Sequence, residues 1–285
     1  MKKVKKLKQL LNEAINDKVG GKFIQWAQDD TGFNPVGKIN LIPEIKADTY
    51  RIQSYPSLKF IPTKSKTDSL LVFRESSMDK IVNEIKTFWK LKENFNKLGF
   101  LHNRGILIYG PPGSGKSSLL QQVSEQQKEN GDITIFSHGL GGLQNGLRAL
   151  REIEQDRRLV VVLEDIDGYN YDERELLQLL DGENNVDNVL YLATTNYKNK
   201  ISERLMRPGR FDKQIYIGYP DLGSRITYLE AKLKNVETKE RIKEIAKRTE
   251  NFSFGHLREL VIGAYAFKES IEDTINRLKK HRGIN

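Results

Sequence analysis

Residues 105–118 read GILIYGPPGSGKSS, an apolar run that passes into a loop of the form G-x-x-x-x-G-K-[ST] and then into a helix-prone stretch. Strand, glycine-rich loop and helix in that order are the setting in which such a loop cradles a polyphosphate. The glycines let successive backbone N–H groups turn inward, and the N-terminal end of the following helix adds partial positive charge. Lys116 supplies a mobile point charge. The expected phosphate-contacting residues are Gly110, Pro111, Pro112, Gly113, Ser114, Gly115, Lys116, Ser117 and Ser118, with the Ser117 hydroxyl reserved for Mg²⁺.

Downstream, strand-like and helix-like runs alternate: ITIFS, LQNGLRALREIEQD, RLVVVLED, ERELLQLLDG and NVLYLATTN. Such alternation implies parallel strands joined by crossover helices, an α/β doubly wound sheet. Arg158 to Asp167, RLVVVLEDID, reads as a strand buried on both faces that ends in acids at the ligand-binding edge of the sheet. Adjacent side chains at a strand end point different ways. Glu164 is therefore assigned to the metal, and Asp165 to the water that attacks the γ-phosphate. After Pro220 the pattern turns wholly helical, with helices expected near 223–234, 238–249, 254–266 and 268–281, a C-terminal helical lid.

Upstream, SSMDKIVNEIKTFWK is expected to form a helix capped by Ser77. Residues 20 to 75 are short apolar pieces between turn residues (TGFNP, LIPEI, SYPSLKFIP, SLLVF), with KSKTDS as a hairpin loop, and read as a small strand-rich module. Residues 1–66 carry 13 Lys/Arg and 6 Asp/Glu, a balance of +7 out of the chain's +9. Lys2, Lys3, Lys5, Lys6 and Lys8 precede a stripe of Leu7, Leu10, Leu11, Ala14 and Ile15. This is a basic amphipathic helix fit for phosphates or an acidic partner, or a solvated terminus whose Leu stripe packs on its own domain. The expected division of the 285 residues is a small α+β N-terminal domain over 1–75, the nucleotide-binding α/β domain over 76–220 and the lid over 221–285. With no Cys there is no disulfide framework, thiol catalysis or thiolate zinc site. Leu159 to Leu163 is among the longest apolar runs, far short of the roughly 20 residues of a bilayer span. A soluble, uncleaved, cytoplasmic chain without a membrane partner is expected.

With these motifs in order, the chain resembles the AAA ATPases from about Ser76 to Phe267. The further matches are ELLQLLDG (175–182), LATTN (192–196) and ERLMRPGRFDKQIYIGYPD (203–221). The stretch FWKLKENFNKLGFLHNRGILIYGPPGSGKSS followed by LEDID is similar in particular to the branch that includes the mitochondrial Bcs1 ATPases, where the acidic pair also reads Glu then Asp. The sequence carries no counterpart of that protein's membrane helix, so its translocation role is not expected. The resemblance implies ATP and Mg²⁺ as cofactors. It makes Asn196 the polar sensor that orients attacking water, and Arg207 and Arg210 the arginine fingers that reach a neighbouring subunit's nucleotide in a ring, a hexamer by family habit. It also aligns Gly255-His-Leu-Arg258 with the second sensor, whose arginine contacts phosphate from the lid. One departure stands out: the loop after the second strand, His138-Gly-Leu-Gly-Gly-Leu-Gln144, lacks the aromatic with which protein-unfolding relatives grip substrate, leaving Leu140 as a weaker grip.

The expected function is an ATP-hydrolysing ring that remodels a protein client held by residues 1–75. A motor on nucleic acid, from the basic N-terminus, and a nucleotide-gated scaffold, from the short Asp165, are the alternatives.

Overall fold

The computed structural model describes residues 25–29, 32–36, 42–54, 58–63, 76–168, 171–182 and 185–281. Strands β1 (Gln25–Asp29) and β2 (Gly32–Val36) form an antiparallel hairpin. The main sheet contains β3 (Thr49–Gln53), β4 (Lys59–Pro62), β5 (Asn103–Tyr109), β6 (Ile133–Ser137), β7 (Leu159–Leu163), β8 (Val189–Thr195) and β9 (Lys213–Tyr216). Their order is β4-β3-β6-β7-β8-β5-β9, parallel throughout except where β4 runs antiparallel to β3.

The doubly wound reading holds, and strand pleating explains it. Ile106, Ile108, Val160, Val162, Leu190 and Leu192 face one hydrophobic cluster, while Leu107, Leu159, Val161, Leu163, Val189 and Tyr191 face the other. Successive residues of one strand therefore serve opposite faces, and both faces are apolar, as a sheet covered on two sides requires. The first face is covered by α1 (Ser76–Lys90), α3 (Lys116–Glu129) and the lid. The second is covered by α4 (Leu143–Ile153) and α5 (Glu173–Asp181). A short α2 (Lys92–Lys97) leads to His102, fully buried, whose ring stacks on Phe88 at 4.0 Å and faces the Phe88 carbonyl and the Asn188 amide oxygen. This ties α1 to the lower edge of the sheet.

The lid comprises α6 (Leu222–Leu233), α7 (Lys239–Arg248), α8 (Phe254–Val261), which runs into a π-helical turn at Ile262–Ala266, and α9 (Ile271–His281). The first three begin on the side-chain caps Asp221, Thr238 and Ser253, each accepting a backbone N–H of the first turn; a cap of this kind is worth about 1 kcal/mol.

Two expectations are corrected here. Residues 49–62 are not part of a separate strand-rich module. Thr49 and Tyr50 pair with Thr134 and Ile135 of β6, so β3 and β4 extend the seven-stranded sheet at its edge. Tyr50 is buried in the second cluster, and its hydroxyl donates to the Lys46 carbonyl at 2.6 Å. Helix α1 begins at Ser76, one residue before the expected cap Ser77. The basic helix over Lys2 to Ile15, the KSKTDS loop and the SLLVF strand lie outside the described residues.

Asp132, just before β6, is buried and its Oδ2 has no hydrogen-bond partner among the described residues. Burial raises its carboxyl to about 6, opposed in part by Arg158 and Arg157. With the native value above the unfolded one, the stability this group contributes is whole below about pH 4 and is lost as pH rises through about 6. Asp132→Asn should therefore stabilise the protein by about 2 kcal/mol above pH 7, with the gain fading toward pH 4. Urea unfolding of both proteins across that range measures it. A pH-independent difference would show that Asp132 does not titrate on folding.

Candidate functional site

The glycine-rich loop leaves the end of β5 between two neighbours that constrain it. Gly110 N–H donates to the Thr195 carbonyl of β8 at 3.3 Å, and Ile217 N–H, just past β9, donates to the Tyr109 carbonyl at 2.8 Å. A Cβ on Gly110 would lie 1.9 Å from the Ile217 carbonyl oxygen, so no other residue fits there. Gly113 is left-handed, with φ +72°, and a Cβ on it would meet the Ser253 hydroxyl at 2.7 Å. The cap of α8 is seated on the loop at this point, where Phe254 N–H donates to the Gly113 carbonyl at 2.9 Å.

Lys116 opens α3 and is 7% exposed. Its ammonium donates to the carbonyls of Gly110 at 2.7 Å and Pro111 at 3.0 Å, and to Asn196 Oδ1 at 2.8 Å. The Asn196 amide then donates from Nδ2 to Asp165 Oδ1 at 3.2 Å. Lys116, Asn196 and Asp165 are thus joined in one hydrogen-bonded series from three separate elements. Burial pulls the Lys116 ammonium below its ordinary range, and the Asp165 and Asp167 carboxylates oppose that pull.

The two acids at the end of β7 diverge, as expected of neighbours on a strand. Asp165 is exposed and faces Asn196. Glu164 is half-buried and borders a cavity of about 490 Å³ between α3 and the β3–β4 edge, with Gln121, Ser124, Phe136 and His138. Ser117 is exposed on the first turn of α3. A hydroxyl and a carboxylate are hard oxygen donors that suit Mg²⁺. Among the described residues no three His, Asp or Glu side chains converge as a metal-binding set. A magnesium ion at Ser117 and Glu164 would therefore keep water and phosphate oxygens in its shell, as this ion prefers.

The two arginines expected to act as fingers part company. Arg207 follows the 3₁₀ turn Glu203–Met206 and is exposed, and its guanidinium has no hydrogen-bond or ion-pair partner among the described residues. Arg210 is committed within its own chain: Nε and one terminal nitrogen donate to Asp181 Oδ2 at 3.2 and 3.1 Å, and the other to the Arg204 carbonyl at 2.7 Å. Its backbone carbonyl also lies 2.2 Å from where a Cβ of Gly105 would stand, so the arginine loop packs directly on β5. Arg210 thus braces the loop that presents Arg207. Arg258 is exposed on α8, one turn beyond the residue seated on Gly113. Leu140, expected as a substrate grip, is instead 7% exposed and part of the second core cluster. Its loop is short and folds back, with Leu143 N–H donating to the Leu140 carbonyl at 3.0 Å.

Sequence reasoning missed the threonines. Thr194 Oγ1 accepts the Asp165 N–H at 3.0 Å, and the Thr195 hydroxyl donates to Asp167 Oδ1 at 2.6 Å. Two threonines in ATTN look like ordinary strand residues, and nothing local marks them.

Residues 106–219 match the family model described as ATPase family associated with various cellular activities. An ATP-dependent zinc metalloprotease FtsH 2 from a Thermoanaerobacter species is 27% identical over 243 residues, covering 72% of this chain and 47% of that protein. A putative cell division cycle ATPase of Plasmodium falciparum is 31% identical over 66% of this chain and 17% of its own length. The ATPase family gene 2 protein of Saccharomyces cerevisiae is 30% identical over 70% and 28% respectively. The chain spans less than half the length of each of these relatives. No helix among the described residues is long and apolar enough to cross a membrane.

Lys116→Ala removes the one ammonium in this series. ATP affinity measured by calorimetric titration should fall tenfold to hundredfold, the equivalent of about 1.5–3 kcal/mol for a charged hydrogen bond. An unchanged affinity would remove Lys116 from the phosphate site.

Proposed function

We propose that residues 106–219, which match the AAA ATPase family model, hydrolyse ATP with Mg²⁺, and that this chain cleaves ATP at a seam between two of its copies in a ring. The observation that carries the proposal is the contrast between the joined Lys116, Asn196 and Asp165 and an exposed Arg207 that has no partner among the described residues. In each copy Lys116, Asn196 and Asp165 are already joined, while the Arg207 guanidinium has no hydrogen-bond or ion-pair partner among the described residues.

In this reading Lys116 turns from the loop carbonyls to the phosphate oxygens. Asp165 takes the proton of the attacking water, while Asn196 keeps that carboxylate and the water in line. Ser117 and Glu164 would hold Mg²⁺, which when bound would supply charge neutralisation for the phosphates. Arg207 of a second copy meets the charge that spreads over the equatorial oxygens, where a guanidinium binds without losing a proton. Arg210 serves by fixing the loop. Arg258 reaches the phosphates from the lid, whose seat on Gly113 brings α8 to the loop. The Glu164-Asp165 order supports a place beside the Bcs1 branch, and a ring of six copies is inferred by analogy with the AAA ATPases at large.

The relatives named as metalloproteases support a protein client. The client-binding part is the chain before Thr49, since β3 and β4 belong to the ATPase sheet. The +7 balance of residues 1–66 favours nucleic acid as the second reading, and it requires affinity that falls steeply with salt in a filter-binding series.

Lys116→Ala and Arg207→Ala copies should each be nearly inactive alone, with Arg207→Ala retaining ATP affinity. Mixed in equal amounts, with co-assembly confirmed by differently tagged copies, they should recover about a quarter of the wild-type rate, because that share of seams combines an intact site with an intact arginine. A co-assembled mixture with no recovery would overturn the shared site.

A further inference from the structure

We infer that Thr194 is a positioning residue for Asp165, and this rests on the reading of Asp165 as the group that takes the proton from water. Asp165 has φ +50°, in the left-handed region that residues other than glycine enter only when their surroundings hold them there. Those surroundings are concentrated in one residue. Thr194 is 3% exposed; its hydroxyl accepts the Asp165 N–H at 3.0 Å, and its carbonyl accepts the Ile166 N–H at 2.9 Å. The turn is closed beyond that point by Gly168 N–H on the Asp165 carbonyl at 2.9 Å, and by the Thr195 hydroxyl on Asp167.

The parallel ladder between β7 and β8 ends at Leu163 and Ala193. The next backbone donor of β7 to be satisfied from β8, that of Asp165, goes to a side chain instead of a carbonyl. That substitution lets the backbone bend into the left-handed conformation while still hydrogen-bonded to β8. The bend carries the Asp165 carboxylate to Asn196 Nδ2. A carboxylate on one methylene has less reach than one on two, so its position is set by the backbone that bears it. Without the Thr194 hydroxyl, the Asp165 N–H loses its acceptor and the bend loses its fastening. Thr194 bonds to neither Lys116 nor Asn196, so its effect falls on turnover and leaves nucleotide binding alone.

The experiment compares Thr194→Val, Thr194→Ser and Asp165→Asn in the full chain by steady-state ATP hydrolysis, ATP affinity and thermal unfolding. Thr194→Val keeps the shape and removes the acceptor; kcat should fall about tenfold or more with KM and ATP affinity within about twofold of wild type. Thr194→Ser restores the acceptor and should recover kcat. In an Asp165→Asn background, Thr194→Val should add nothing to the loss. Wild-type kcat in Thr194→Val, or a serine variant as slow as the valine one, overturns the inference while leaving Asp165 in its role. Wild-type turnover in Asp165→Asn would instead overturn the reading of the acid itself. Should Thr194→Val fail to fold, Thr194→Ala with the same serine comparison carries the test, and kcat and affinity lost together in that pair would also overturn it.

Discussion

The Lys116 ammonium is the interaction on which the rest of the site depends. A cation with 7% of its surface exposed is costly to keep unless oxygen acceptors surround it. Here they come from two sources: the loop carbonyls of Gly110 and Pro111, and the Asn196 amide at the end of β8. Satisfying this one charge therefore fixes the loop against its neighbouring strand. It also fixes the orientation of the Asn196 amide, since an oxygen turned toward lysine leaves the nitrogen turned toward Asp165. A single electrostatic requirement thereby sets the register of three elements that are far apart in sequence.

The sheet supplies the rigidity this arrangement needs. β7 and β8 are buried along their whole length, and their residues alternate between two cores, so neither strand can shift without disturbing packing on both faces. At the rim Arg207 is exposed, and the lid, packed on the first face of the sheet, meets the loop through the backbone bond from Phe254 to Gly113.

What the sequence revealed, and what it withheld, follows from the range of the interactions involved. Strands β5 to β8 and all four lid helices were legible because periodicity and caps are local, and the loop lysine and the acids were legible because their chemistry is written in adjacent letters. The pairing of β3 with β6 was not, since Thr49 and Thr134 meet across most of a domain and nothing near Thr49 names its partner. β9 was hidden inside a motif read for its arginines. The same motif suggested two fingers, and Asp181, on another helix, together with the Arg204 carbonyl separates Arg210 from Arg207. Leu140 looked available because its glycine neighbours imply an open loop, whereas its side chain turns into the core. The Thr194 contact with Asp165 depends on strand adjacency, which a linear pattern does not encode.

The close approach of the Arg210 carbonyl to Gly105 reaches further than local packing. Gly105 lies on β5, the strand that feeds the glycine-rich loop, so that loop and the turn bearing Arg207 and Arg210 are anchored on the same strand. A side chain at residue 105 would therefore disturb both at once, because its first carbon would run into the backbone that carries Arg210.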